Sequence, residues 1–242
     1  MSRAILVTGT DTGVGKTVVT AGLAAALRAR GIDVGVMKPV ATGCTIADGE
    51  LISPDTEFLR AATGVTEPDF MVTPVMLEPP LAPTVASRMT AAPFTFNQIS
   101  TGLYDLLERH PVVLVEGVGG FLVPVTDEML LADVAEAMKM TVLVVARPSL
   151  GTINHTLLTV EAVRMRELRI AGIVFNVTCE DDVDASSDSN VDEIERITGL
   201  RILGTLPFEP SISVEECRVG ALAGLVETHL DVEGFMRREL VE

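Results

Sequence analysis

The stretch Ile5-Leu6-Val7-Thr8-Gly9-Thr10-Asp11-Thr12-Gly13-Val14-Gly15-Lys16-Thr17 decides how this chain folds. Its apolar opening reads as a strand buried on both faces, and the Ala- and Leu-rich segment from Thr17 to Arg30 reads as a helix. Gly13 and Gly15, in the turn between them, allow backbone conformations closed to other residues and bring several N–H donors onto an anion at a helix N-terminus. Lys16 then reaches the terminal phosphates of a nucleotide, and Val18 lies just behind Thr17, whose hydroxyl is a ligand for Mg²⁺. Five residues separate Gly9 from Gly15 where the standard phosphate loop has four, so the strand-loop-helix setting carries the assignment. A plain glycine-rich turn would need neither Lys16 nor Thr17.

Further apolar runs recur at Val34-Gly35-Val36, Val112 to Val115, Val142 to Val145, Gly172 to Phe175 and Ile202-Leu203. Helical patterns lie between them, as at Ile153, Leu157 and Val160, spaced i, i+4, i+7. Strand and helix alternate, which predicts an α/β chain: a three-layer P-loop NTPase fold with a mostly parallel central sheet and helices on both faces. There is no fixed-period repeat and no Gly/Ser or Pro linker, so residues 1–242 are expected to form a single P-loop ATPase-type domain. Ligands of such sheets bind beyond the carboxyl ends of the strands.

Composition narrows the classes. Hydrophobic residues make up 48% of the 242 and aromatics only 4%, so the core must be built from Val, Leu, Ile, Ala and Met. A formal charge of −16 argues against a nucleic-acid surface and against anionic membrane. It leaves a local phosphate nest untouched, because backbone N–H groups and lysines act at contact distance. Cys44, Cys179 and Cys217 fit neither a disulfide framework nor a zinc pattern, and a reducing cytoplasm is the expected setting. The run Ala4 to Val7 is too short for a signal-peptide core, and no segment has the length to span a bilayer.

Other strand ends supply candidate chemistry. Glu116 follows Val112 to Val115 and precedes Gly117-Val118-Gly119-Gly120, a Walker-B-like carboxylate with glycines that let a ligand approach. Mg²⁺ keeps several waters, so two or three protein oxygens suffice; Thr17 and Glu116 are two. Asp55, after Ser53-Pro54, opens a helix and is either the third or an acid stabilising the helix dipole. Asp133 reads as a structural helix-start acid. Lys38, in Val36-Met37-Lys38-Pro39, ends the second strand on the phosphate rim, where a fixed ammonium lowers the barrier to phosphoryl transfer. Ser149-Leu150-Gly151-Thr152-Ile153-Asn154-His155 leaves a strand and starts a helix, a second anion site suited to a carboxylate. His155 reads as a helix-face residue, and Arg147 as either a structural or a surface cation. Asn176 ends a strand, where its amide suits either a turn or an adenine edge. The acidic stretch Glu180 to Asp184, continuing through Ser186 to Asn190, reads as a solvated loop before a helix.

Four blocks in order carry a resemblance: Gly9-Thr10-Asp11-Thr12-x-Val14-Gly15-Lys16-Thr17, Lys38-Pro39-Val40, Val115-Glu116-Gly117-x-Gly119-Gly120 and Leu150-Gly151-x-Ile153-Asn154-His155. From about Ala4 to Pro207 the chain resembles the dethiobiotin synthetases; the first and last blocks are the specific ones. The resemblance implies an ATP- and Mg²⁺-dependent ligase of biotin biosynthesis that carboxylates 7,8-diaminononanoate with CO₂ through a carbamate and closes a cyclic urea. It assigns Lys16 and Lys38 to catalysis, and Thr17, Asp55 and Glu116 to the metal. Substrate would meet Thr12, Thr42 and the turn Gly151, Thr152, Ile153 and Asn154. ATP would meet Gly13 to Val18, Asp55, Glu116, Gly117, Val118, Gly119, Asn176, Val177, Pro207, Phe208 and Glu209. It also implies a homodimer with the substrate site shared across the interface. Gly13, Thr42 and Thr152 stand where relatives carry other residues, and Thr42 keeps the hydroxyl.

Two other classes share the loop. Partitioning and metal-delivery ATPases carry a signature lysine early in it, where this chain has Asp11. Amide-forming synthetases use a glutaminase domain with a cysteine nucleophile, for which no room remains after the core. A silent nucleotide-binding paralogue is opposed by the retention of Lys16, Lys38, Asp55 and Glu116.

Overall fold

Each apolar run becomes a strand in a computed structural model that describes residues 2–241. In chain order the strands are β1 (Arg3–Gly9), β2 (Val34–Met37), β3 (Val40–Thr42), β4 (Thr45–Ala47), β5 (Glu50–Ile52), β6 (Val75–Leu77), β7 (Val112–Gly120), β8 (Thr141–Ala146), β9 (Ile170–Asn176) and β10 (Ile202–Leu206). Six of these form one wholly parallel sheet, ordered β10-β9-β8-β1-β7-β2. The connections run to opposite sides of β1, so its carboxyl end is the switch point at which such sheets bind ligands.

The helices are α1 (Lys16–Ala29), α2 (Pro54–Thr63), α3 (Asp69–Val72), α4 (Pro83–Thr90), α5 (Phe96–Arg109), α6 (Leu131–Ala137), α7 (Thr152–Arg164), α8 (Ser187–Thr198), α9 (Leu222–His229) and α10 (Val232–Met236). Side chains alternate along each strand, so one face of the sheet offers Ile5, Val7, Leu114 and Val145 to α1, α2 and α9, through Leu23, Leu27, Phe58 and Val226. The other face offers Leu6, Val115, Val144 and Phe175 to α5 to α8, through Leu103, Leu106, Val134, Val160 and Ile194. The expected three layers are present. In α5 the capping box of Thr95 and Gln98 sets the start, and Ile99, Leu103 and Leu106 form the buried stripe.

The sequence reading passed over the pairs β3-β6 and β4-β5, because three-residue strands carry too little alternation to be seen. It placed Glu116 at a strand tip, whereas β7 continues to Gly120. The solvated acidic loop is corrected more sharply. Glu180–Asp182 is a 3₁₀ turn, α8 already begins at Ser187, and Asp182, Ser187 and Asn190 are buried.

Candidate active site

Register brings the charged residues together before any side chain is considered. Val7 of β1 pairs with Glu116 of β7, and Met37 of β2 pairs with Val115, so Lys38 and Glu116 leave the sheet level with each other beneath the phosphate loop. Gly9 lies under the loop's fold-back: a Cβ there would stand 2.9 Å from Lys16 Nζ and 2.7 Å from the Asp11 carbonyl. Gly15 begins α1 at φ 84°, and a Cβ there would stand 2.0 Å from Asn176 Nδ2. Lys16 Nζ donates to the Asp11 carbonyl at 3.0 Å.

Lys38 is buried and its ammonium sits 2.6 Å from both Glu116 Oε1 and Asp55 Oδ2. The Thr17 hydroxyl lies 2.8 Å from Glu116 Oε1 and 3.1 Å from Asp55 Oδ1 and can donate to either. Ser53 caps α2, its Oγ accepting from the Thr56 N–H at 3.2 Å, and Pro54 fills the first helical position, which delivers Asp55 in the first turn. Asp55 therefore holds both positions the sequence left open, helix-start acid and neighbour of Thr17.

Burial, with the Lys38 charge adding to it, lowers the Lys16 pKa from 10.5 to about 8. Burial opposes the Lys38 charge as well, but Glu116 and Asp55 outweigh it and hold that ammonium protonated well above the ordinary lysine range. Asp55 is likewise held below the usual carboxylate range by Lys38, despite its own burial. Burial pushes Glu116 up, against the pull of Lys38.

Thr17, Asp55 and Glu116 fit Mg²⁺. Glu116 Oε2 is one of two buried side-chain polar atoms without a hydrogen-bond partner among the described residues, and an orphaned carboxylate oxygen is costly unless a cation meets it. Two carboxylates and a hydroxyl are the hard oxygen donors this ion takes, with waters and phosphate oxygens completing the shell.

These groups open on a cavity of about 640 Å³, a volume suited to a nucleotide and a small substrate. Thr12, Gly13, Gly15, Lys16, Thr17, Val18, Lys38, Thr42, Asp55, Glu116, Val118 and Gly119 line one part, and Asn176, Val177, Pro207, Phe208 and Glu209 another. Two expected contacts stand behind its wall. Val14 is buried, with its carbonyl accepting from Asn176 Nδ2 at 3.1 Å, and Gly117 is buried against Leu131. Asn176 thus spends one donor on the phosphate loop. Gly151, Thr152, Ile153 and Asn154 lie outside the cavity lining, at the first turn of α7, which Gly151 begins at φ 94°. His155 is exposed on that helix, and Asp133 accepts from the Leu130 N–H in a capping role.

The sequence reading missed Thr178, Ile212, Ser213, Val214, Glu215 and Leu225 on the cavity wall. Thr178 was within reach of inference, two residues past Asn176. The segment 210–215 gives no periodic signal and reaches the cavity through the tertiary fold alone.

A family model described as an AAA domain matches residues 3–216. The ATP-dependent dethiobiotin synthetase BioD of Anaeromyxobacter sp. (strain Fw109-5) is 48% identical over 84% of this chain and 89% of its own. The chain belongs to the dethiobiotin synthetase family. The Bacillus subtilis subsp. natto member is 36% identical over 98% of both chains, so the likeness to dethiobiotin synthetases extends past the segment matched by the family model. The fold is shared more widely. The MinD cell division protein of Aquifex aeolicus superposes with a TM-score of 0.59 at 14% identity over 100% of this chain and 98% of that one. A ParA family ATPase of Chlorobium tepidum gives 0.55 at 15% over 100% and 98%. Among such neighbours the dethiobiotin synthetase family is an ATP-dependent ligase branch of the P-loop architecture.

Proposed function

We propose that the chain makes dethiobiotin, ADP and phosphate from 7,8-diaminononanoate, CO₂ and ATP, with residues 1–242 working as a single domain. The observation that carries this reading is that Lys16 and Lys38 both open on one cavity above Thr17, Asp55 and Glu116. Three covalent steps follow. One substrate amine attacks the carbon of CO₂ and sheds a proton, giving a carbamate. A carbamate oxygen attacks the γ-phosphorus of ATP, the bond to the bridging oxygen breaks with its electron pair leaving on ADP, and a carbamic-phosphoric anhydride results. The second amine attacks the carbonyl carbon, loses a proton and expels phosphate as the ring closes.

Lys38 neutralises the carbamate and Lys16 the transferring phosphoryl oxygens, acting as fixed cations that need no reorganisation as charge moves between them. Thr12 and Thr42 face the reacting diamine. The backbone from Gly13 to Val18 cradles the phosphates, with Val118 and Gly119 flanking them. Asn176, Val177, Pro207, Phe208 and Glu209 surround the base. Thr17, Asp55 and Glu116 would hold Mg²⁺, which when bound would neutralise charge on the triphosphate.

The working unit is a homodimer in which the turn Gly151, Thr152, Ile153 and Asn154 of one protomer receives the carboxylate tail of substrate held mainly by its partner. The turn's place outside the cavity lining supports this, as does the apolar surface near it, where Leu150 and Leu158 are 83% and 62% exposed. Free thiols at Cys44, Cys179 and Cys217 fit a reducing cytoplasm, and no helix among the described residues is long and apolar enough to cross a membrane. The test is ATP-dependent fixation of labelled bicarbonate into acid-stable product. Label must appear only when diamine is present; ATP hydrolysis with no acid-stable label in the presence of diamine would refute the reading.

A further inference from the structure

Between the base end of the cavity and the α7 turn runs Thr178-Cys179-Glu180-Asp181-Asp182-Val183-Asp184, for which the proposed reaction has no use. Two of its carboxylates are committed to specific partners. Asp182 Oδ2 accepts from the Thr178 N–H at 2.8 Å and the Thr178 hydroxyl at 2.5 Å, while its other oxygen stands 3.9 Å from Arg147. That guanidinium stands 3.8 Å from Asp11 of the phosphate loop, which gives Arg147 a bracing place between two acids. Asp184 Oδ2 accepts the Leu150 N–H at 2.9 Å, and its Oδ1 takes the Ser186 N–H and hydroxyl at 2.7 and 2.5 Å. One turn into α8, Asn190 donates to the Pro148 carbonyl at 2.9 Å. Asp184 and Asn190 therefore grip the turn from both sides, by the N–H of Leu150 and by the carbonyl of Pro148.

A turn that leaves a strand to start a helix has N–H groups without intrahelical partners; here the Thr152 N–H is spent on the Ser149 carbonyl at 3.1 Å, which leaves those of Gly151, Ile153 and Asn154, whose aim depends on how the turn is fixed. The hydrogen bond from Leu150 supplies that fixation from outside the helix. We propose that Asp184 is a positioning residue for the substrate carboxylate, holding the Leu150 N–H so that the following turn presents the N–H groups of Gly151, Ile153 and Asn154 to the ligand. The inference rests on the proposed role of that turn. It runs against simple electrostatics, since an aspartate near a carboxylate site repels the ligand. Its structural service must therefore exceed that repulsion, and the two contributions separate on substitution.

The test is steady-state kinetics of the full-length protein as D184A and D184N, with thermal melting to verify folding. The substrate is 7,8-diaminononanoate, compared with the carboxylate-free 7,8-diaminononane as alternative substrate or competitor. D184A is expected to raise KM for the acid by roughly five- to tenfold, the net scale of one ordinary hydrogen bond, with kcat and KM for ATP unchanged. D184N keeps an acceptor for the Leu150 N–H and should restore wild-type KM or lower it. With the carboxylate-free diamine, D184A and wild type should agree. A wild-type KM for the acid in D184A would overturn the inference, and so would an equal loss on both diamines. A wild-type enzyme that binds the two diamines equally would refute the carboxylate role of the turn itself, a different failure.

Discussion

At Lys16 the folded chain keeps an ammonium where burial and Lys38 both oppose it, with a pKa of about 8 against 10.5 for an ordinary lysine. Between those values the unfolded chain binds the extra proton. Stability of the ligand-free protein therefore rises with pH across that window, and the penalty is present in full below it. Lys16→Met is expected to raise ligand-free stability at pH 7 by on the order of 1–3 kcal/mol and to abolish the rise between pH 8 and 10.5, measured by urea denaturation at a series of pH values. Glu116 makes the complementary case. Its buried, unpartnered Oε2 is suited to a cation, so Glu116→Gln should weaken Mn²⁺ binding in the presence of a nonhydrolysable ATP analogue by at least about tenfold, read by electron paramagnetic resonance. Lys16, Lys38 and Glu116 were legible because each stands where a strand or loop meets a ligand edge. The bond from Asn176 to the Val14 carbonyl was not, since 162 residues separate them and only sheet order brings them together.

Elements with a local signal were readable and those without one were not. Ser53-Pro54-Asp55 announces a helix start, and α2 begins there with Ser53 as its cap. Ser53→Ala should cost about 1 kcal/mol in stability, measured by chemical denaturation, and should raise KM for MgATP by loosening the first turn that carries Asp55. The strands from β3 to β6 have three residues each, too few for a period-two pattern to be told from chance. The acidic run misled for a related reason. Composition marks such a stretch as solvated, yet Asp182 and Asp184 accept backbone N–H bonds from Thr178 and Leu150, contacts that depend on where β8 and β9 end.

Over the whole molecule a net charge of −16 surrounds a cavity whose floor holds two buried ammonium groups. The far field disfavours anions in general, and under the proposed function the site would recover a polyanion through backbone donors, lysines and a cation acting at contact. Sheet order is what makes this possible: β1, β7 and β2 are neighbours, so the phosphate loop, Glu116 and Lys38 emerge side by side although 78 residues separate the last two. The parallel order followed from alternation of strand and helix, whereas the adjacency of β7 to β1 had no signature in the chain.

The central claim is that Lys38 acts on the carbamate that receives the phosphoryl group and is dispensable for holding the nucleotide. Rapid-quench measurement of phosphoryl transfer from γ-labelled ATP in a single turnover, comparing Lys38→Ala with wild type at saturating diamine and CO₂, tests it directly. The account predicts transfer slowed by on the order of 10²- to 10³-fold, with nucleotide affinity within a few-fold of wild type. A wild-type transfer rate in the variant would contradict it.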